Sequence, residues 1–399
     1  MYTILRKTVA PSLVFNMDTE TITMAFKMDA ERNASELTSD DVIHIAAPAV
    51  ITAGKYTHLI WYGIGFLGNI LSAYIWNVKT MYGVCSSAHY LVAISICDIL
   101  CQTLHIFYYL TMYWRLTVFI TPGLCEGWGV LYTIPLYISE LLVLGFIIEK
   151  LISLQNPLGS GWFKRNRRAP KEIVWTIVSV TAFCVFQAYF RRVDIKTGCS
   201  NEAFSEEFVH PVWIWVPDIF IYFVVPVSVV ILNFCILHMS KRRYNLSIPR
   251  HPLHKEAHVR VRGTLKRSTV VLLRLSFFRV ITLFPMSVAD FLKHFDPFKR
   301  SLLPSVYSMD DVWTSERWHD YLFYSIIYYI VEIISSSRYA LSVFIYVTSS
   351  VHFRRELRKL YWRIKHSLTS LFDTKISCSR TTFVSVSDLT RNDNAVYVV

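Results

Sequence analysis

CEGWGVLYTIPLYISELLVLGFIIEKLISLQNPL, residues 125–158, decides how the rest of the chain is read. Cys125 and Glu126 open it and a long apolar run follows, broken by a single acid, Glu140. The run ends at Glu149-Lys150-Leu151, with Pro157-Leu158 just beyond. A membrane span needs about 20 mostly apolar residues, and this run is longer. Six similar runs flank it. Together they predict seven spans at 57–78, 89–112, 125–154, 172–190, 212–239, 268–291 and 320–348. The third and fifth are long enough to tilt or to project beyond the lipid.

Composition agrees. Of 399 residues, 53% are hydrophobic and 15% aromatic, and the mean hydropathy is +0.36. A soluble chain of this size would be less apolar. The net charge of +12 does not point to nucleic acid, because the basic residues are confined to alternate loops. Lys164, Arg165, Arg167, Arg168 and Lys171 follow the third span. Lys241, Arg242 and Arg243 begin a basic stretch after the fifth, and Arg354, Arg355, Arg358 and Lys359 follow the seventh. Acids such as Glu202, Glu206, Asp310 and Asp311 fill the opposite loops. Short basic loops stay cytoplasmic, so the N-terminus is expected outside and the C-terminus inside.

This organisation predicts an all-α protein, a seven-transmembrane helix bundle with a short amphipathic cytoplasmic helix. An extracellular tail occupies 1–56, the bundle 57–348, the membrane-surface helix 349–366 and a disordered cytoplasmic tail 367–399. Arg6 and Lys7 interrupt the only early apolar run, so no signal-peptide core forms. Asn33-Ala34-Ser35 is a glycosylation sequon on the expected outer side. Cys97, Cys101, Cys184 and Cys235 lie within spans and read as packing residues. Cys378 is a candidate for acylation. No cysteine or histidine spacing suggests a metal site, no nucleophile–base pair suggests catalysis, and no cofactor is expected.

The order of several residues resembles rhodopsin-like G-protein-coupled receptors over roughly 56–366. In that family an outer cysteine begins the third helix, an Asp-Arg-Tyr triplet ends it, and a Pro-Leu pair follows six residues later. Cys125, Glu149-Lys150-Leu151 and Pro157-Leu158 fall at those spacings. Gly68-Asn69, Asp98, Trp175, Pro226, Pro285 and Tyr346 followed by Phe353-Arg354 match further positions. The resemblance implies a Cys125–Cys199 disulfide and a G-protein face at Glu149, Lys150, Leu151 and Tyr346. The departures are large. Lys150 replaces the arginine, Phe234 the fifth-helix tyrosine, and Thr282-Leu283-Phe284-Pro285 the Cys-Trp-x-Pro motif. Ser342-Val343-Phe344-Ile345-Tyr346 stands for Asn-Pro-x-x-Tyr. The chain resembles invertebrate peptide receptors of the FMRFamide type more than vertebrate ones.

Ionisable residues inside spans are costly and usually face partners. In the family, positions matching Asp98, Ser139, Arg338 and Ser342 form a sodium pocket, so an Asp98–Arg338 pair is expected to replace the ion. Positions matching Pro226, Glu140 and Arg279 repack on activation, and a Glu140–Arg279 ion pair is expected there, since an unpaired charge would be unfavourable. Lys150, without its usual partners, is expected to act as a cytoplasmic contact.

Tyr132 stands where aminergic receptors need an aspartate, and Ser336 where opsins need a lysine. An aromatic pocket of Tyr108, Tyr109, Tyr132 and Tyr328, with Met286, Ser287, Asp290 and Glu332, suits a peptide carrying a basic and an aromatic residue. Residues 353–366 form an amphipathic pattern suited to membrane lipids. The Thr382, Ser385 and Asp388 spacing resembles arrestin sites, and the terminal Val396-Tyr397-Val398-Val399 is a candidate PDZ-domain ligand. The expected function is a cell-surface receptor activated by a neuropeptide and signalling through a heterotrimeric G-protein. The alternatives are a transporter or channel whose buried charges line a path, and a receptor-like protein that no longer signals.

Overall fold

The computed structural model describes residues 38–78, 87–116, 124–155, 161–188, 192–194, 198–200, 216–217, 219–246, 255–292, 303, 308–367 and 369. Helices dominate. A short α1 (Ser39–Ala46) leads into α2 (Pro48–Trp76), followed by α3 (Ser87–Trp114), α4 (Leu124–Gln155) and α5 (Gly161–Ala188). Strands β1 (Arg192–Asp194) and β2 (Gly198–Ser200) pair antiparallel, with Val193 opposite Cys199. Then come α6 (Val225–Leu246), α7 (Lys255–Leu292), a short α8 (Met309–Thr314) and α9 (Glu316–Ser349).

Among the described residues six helices are long and apolar enough to cross a membrane. They are Pro48–Trp76, Ala88–Trp114, Gly127–Gln155, Phe220–Lys241, Thr269–Leu292 and Glu316–Ser349. Their outward faces fit that reading. Leu67, Ile70, Phe234 and Ile281 are all more than half exposed, a pattern that water disfavours and lipid tails do not. The predicted fourth span, 172–190, falls on α5 as far as Ala188, and 189–190 lie outside the described residues. The first turns of that helix carry Lys164, Arg165, Arg167, Arg168 and Lys171, and its described part after Lys171 is shorter than any of the six helices above.

The helices pack as a closed bundle. α2 lies between α3 and α9, α7 packs on α9 and α6, and α4 touches α3, α5, α6 and α7. Prolines shape three of the long helices. Pro135 and Pro285 lie inside α4 and α7. Pro226 follows one turn of π-helix, Phe220–Val224, where Val225 N–H reaches back to the Phe220 carbonyl. Proline lacks the donor for a normal turn, and a wider turn takes up the mismatch.

The chain is ordered before position 57. Thr38 and Asp41 form a capping box at the start of α1, and His44 Nε2 bonds the Met112 carbonyl at 2.9 Å. Asp41 also pairs with Arg115, which has a φ of 57°. That residue ends α3 with a left-handed turn, and Leu116 N–H closes it onto the Leu110 carbonyl at 3.1 Å. Val42, Ile43, Met309, Val312, Trp318 and Tyr329 join Tyr109 and Tyr113 in one buried apolar cluster. α1 and α8 therefore cover one end of the bundle.

Residues 247–254 lie outside those described, but α6 and α7 extend far into the basic stretch predicted as a loop. Residues 351–367 form a separate helix. Tyr361, Trp362 and Ile364 are exposed on it. Lys359 pairs with Glu356 at 2.8 Å, and Lys365 Nζ sits 5.2 Å from the centre of the Trp362 ring.

Gly68 permits the close approach of α2 and α9. A Cβ there would lie 2.8 Å from Val343 Cγ1 and 3.1 Å from Val343 Cβ, whereas one at Gly63 would meet nothing within 4 Å. Overpacking of this kind costs about 1–3 kcal/mol. Gly68→Ala should lower the detergent melting temperature and Gly63→Ala should leave it unchanged, as read by thermal unfolding of purified protein.

Candidate functional site

Two polar centres are buried in the bundle. The first joins α3, α4, α7 and α9. Asp98, Glu140, Arg279 and Arg338 are 0%, 4%, 1% and 5% exposed. Two acids and two bases make the group formally neutral, which removes the main penalty for burying them.

Arg279 is its hub. Its Nη2 donates to Asp98 Oδ2 at 2.5 Å, and its Nη1 donates to Ser139 Oγ at 2.8 Å and to Glu140 Oε1 at 3.4 Å. Ser139 in turn donates to Asp98 Oδ1 at 2.9 Å. The predicted Glu140–Arg279 contact is present, but it is the longest of the three.

The expected Asp98–Arg338 pair is not formed. Asp98 is taken by Arg279, and Arg338 Nε lies 3.7 Å from Glu140 Oε1. Arg338 also donates to Ser335 and, at 2.6 Å, to the Tyr339 hydroxyl. Ser342 donates to the Arg338 carbonyl at 2.9 Å and does not reach Asp98. The reason is reach. The arginine side chain extends back along α9 toward residues one turn earlier, as helical side chains do, and so meets Glu140 rather than Asp98.

The second centre lies nearer the end covered by α1 and α8. Glu332 of α9 is its middle. His58 Nε2 lies 3.1 Å and His105 Nε2 3.0 Å from Glu332 Oε1. Tyr113 donates to Oε2 at 2.8 Å. On the far sides of the rings, His58 Nδ1 is 2.8 Å from the Gly54 carbonyl and His105 Nδ1 is 2.7 Å from the Tyr62 hydroxyl. Gly54 matters twice, because a Cβ there would strike the Tyr113 ring at 2.1 Å.

Of the predicted pocket residues, Tyr108, Tyr109 and Tyr132 surround these histidines. Tyr109 packs 5.6 Å from the His58 ring, and Tyr108 and Tyr132 lie 5.5 and 6.1 Å from the His105 ring. Tyr328 packs instead on Tyr324 at 6.0 Å, whose hydroxyl bonds the Ala289 carbonyl of α7. Ser287 bonds back to Leu283 within α7, and Met286 and Asp290 are half-buried. His58 and His105 were not picked out by sequence. A histidine is neutral enough to pass as span filler, and the usable signal was that both fall in predicted spans.

Elsewhere the matched positions are ordered. Asn69 donates to the Tyr339 carbonyl at 2.8 Å. Tyr346 is fully buried, edge-on to Trp76 at 5.6 Å. Trp175 faces outward, 70% exposed. Lys150, expected to be a cytoplasmic contact, is only 5% exposed, and Glu149 and Leu151 are half-buried. Cys97, Cys101 and Cys184 are buried thiols, and Cys235 is an exposed one. The side chains of Cys125 and Cys199, Asn33 and everything beyond 369 lie outside the described residues.

No family model matches the chain, and no curated protein matches it.

The distances rank the pairs in the first centre. Removing one partner of a buried pair costs about 3–5 kcal/mol. Arg279→Met should therefore strongly reduce the yield of folded protein, with partial recovery in Arg279→Met/Asp98→Asn, which restores neutrality. Double-mutant cycles on unfolding should give a larger coupling for Asp98–Arg279 than for Glu140–Arg279.

Proposed function

We propose that the chain is a diverged, rhodopsin-like cell-surface receptor with seven spans. In this reading its N-terminus is outside the cell, it is activated by a basic or aromatic peptide, and it signals through a heterotrimeric G-protein. The observation that carries this reading is the buried charge centre. Four charges from four helices neutralise one another at Asp98, Glu140, Arg279 and Arg338. They stand where the resemblance puts the ion pocket and the activation contacts.

A sealed, neutral group of this kind suits a bundle with two alternative packings. Moving α7 against α4 would exchange one set of pairs for another, and a ligand that binds one packing better would shift the balance. A transport path would instead expose its charges to water, and these four are almost fully covered. Tyr108 and Tyr132, half-buried beside His105, and Glu332 supply the aromatic and acidic groups that a basic peptide needs. The helix at 351–367, with exposed Trp362 among Arg355, Arg358 and Arg363, suits an anionic membrane surface.

Expressed receptor challenged with a panel of neuropeptides should stimulate nucleotide exchange on a G-protein. Peptide-independent substrate flux without exchange would favour the transporter reading, and surface expression with neither response would favour the receptor-like protein that no longer signals.

Arg279 takes the place beside Asp98 and Ser139 that sequence had assigned to Arg338, and its guanidinium supplies the positive charge there in place of a sodium ion. Replacing sodium chloride by choline chloride at equal ionic strength should leave the melting temperature of the purified protein unchanged. A sodium-specific stabilisation would count against that assignment.

A further inference from the structure

The geometry points to a binding site for one divalent transition-metal ion, Zn2+ by ligand type, formed by His58, His105 and Glu332 and tying α2, α3 and α9 together. This inference does not depend on the receptor reading.

Three observations carry it. The first is the donor set. Two imidazole nitrogens and one carboxylate oxygen, all buried, lie within 4.8 Å of one another. Zn2+ takes nitrogen and oxygen ligands at about 2.0–2.2 Å, and two histidines with a glutamate and one open position are a known zinc arrangement. The two histidine-to-glutamate distances, 3.1 and 3.0 Å, are already close to the separation of about 3.3–3.5 Å that such bond lengths set between tetrahedral ligands.

The second is the outer shell. A metal-binding histidine usually donates its other ring N–H to a carbonyl, a carboxylate or water, which fixes the tautomer. His58 Nδ1 faces the Gly54 carbonyl, which only accepts, so that nitrogen carries the proton and Nε2 points at the cluster. His105 Nδ1 is held by the Tyr62 hydroxyl, leaving its Nε2 inward as well. Tyr113 holds the second oxygen of Glu332 at 2.8 Å. Each of the three ligands is thus oriented through its non-ligating atom by a different residue.

The third is convergence. The Nε2 atoms of His58, on α2, and of His105, on α3, both turn toward the one oxygen Glu332 Oε1, where a single ion could be shared by all three. The hard cations Ca2+ and Mg2+ prefer all-oxygen sites and do not suit two imidazoles.

The test uses the full chain, purified in detergent, stripped with a chelator and shown to be folded by circular dichroism. Titrated Co2+ should give the visible absorption of a tetrahedral site at one equivalent, and Zn2+ should displace it and raise the melting temperature, as ligation of the folded state requires. Ca2+ at the same concentration should do neither. Glu332→Gln or His105→Ala should weaken binding by at least about 100-fold. Tyr113→Phe, which leaves all three ligands in place, should weaken it about 10-fold, within the range for outer-shell partners. His44→Ala, at a histidine bonded to the Met112 carbonyl, should bind as the parent does. The inference is overturned if the folded parent shows no saturable Co2+ or Zn2+ binding. It is equally overturned if Tyr113→Phe and His105→Ala bind like the parent, or if Ca2+ binds as tightly as Zn2+.

Discussion

The bundle is organised around the guanidinium of Arg279. Three helices meet at this side chain: its two terminal nitrogens serve Asp98 of α3 and Ser139 and Glu140 of α4. A charge at this depth is tolerated only when its partners are in place, because desolvation of each ion costs several kcal/mol. The positions of α3, α4 and α7 are therefore set relative to one another at this level. α9 joins through Arg338 and Glu140, so the fourth helix is bound by the weaker, longer contact.

The two buried centres share helices. Glu332 and Arg338 are both on α9, six residues apart, or about 9 Å along the axis at 1.5 Å per residue. His105 and Asp98 are both on α3, seven residues apart, or about 10 Å. A rigid displacement of either helix is felt at both levels. Binding near Glu332 thus has a short mechanical route to the Glu140–Arg338 contact, through two helices that hold both ends of the arrangement. The end cover formed by α1 and α8 restricts the upper centre further, since Tyr109 and Tyr113 belong to the same apolar cluster as Val42 and Trp318.

Much of this was legible in the residues. Apolar runs longer than a bilayer located the helices, and the ionisable residues inside them, Asp98, Glu140, Arg274, Arg279, Glu332 and Arg338, were marked as needing partners. The Glu140–Arg279 contact was expected from the positions that the resemblance matched and the cost of an unpaired charge. The allocation of the remaining pair was not legible. Spacing reports how deep a residue lies on its helix, but an arginine reaches across more than one turn, and its partner depends on the rotation of the helix and the direction of its side chain. Arg338 turns toward Ser335 and Tyr339 and leaves Asp98 to Arg279. The histidines were missed for a different reason. His58 and His105 are 47 residues apart in sequence and 274 and 227 residues from Glu332, so no local spacing connects them.

Sequence alone determined that this chain is a set of long apolar helices, and that its few internal charges had to be paired. Both follow from the cost of placing polar groups in lipid, which depends on residue type and run length. Only the tertiary structure decided which charge meets which, and that two histidines and a glutamate from three helices converge on one oxygen. Those outcomes depend on helix rotation and on close approaches such as that of Gly54 to Tyr113, which packing sets and composition does not record.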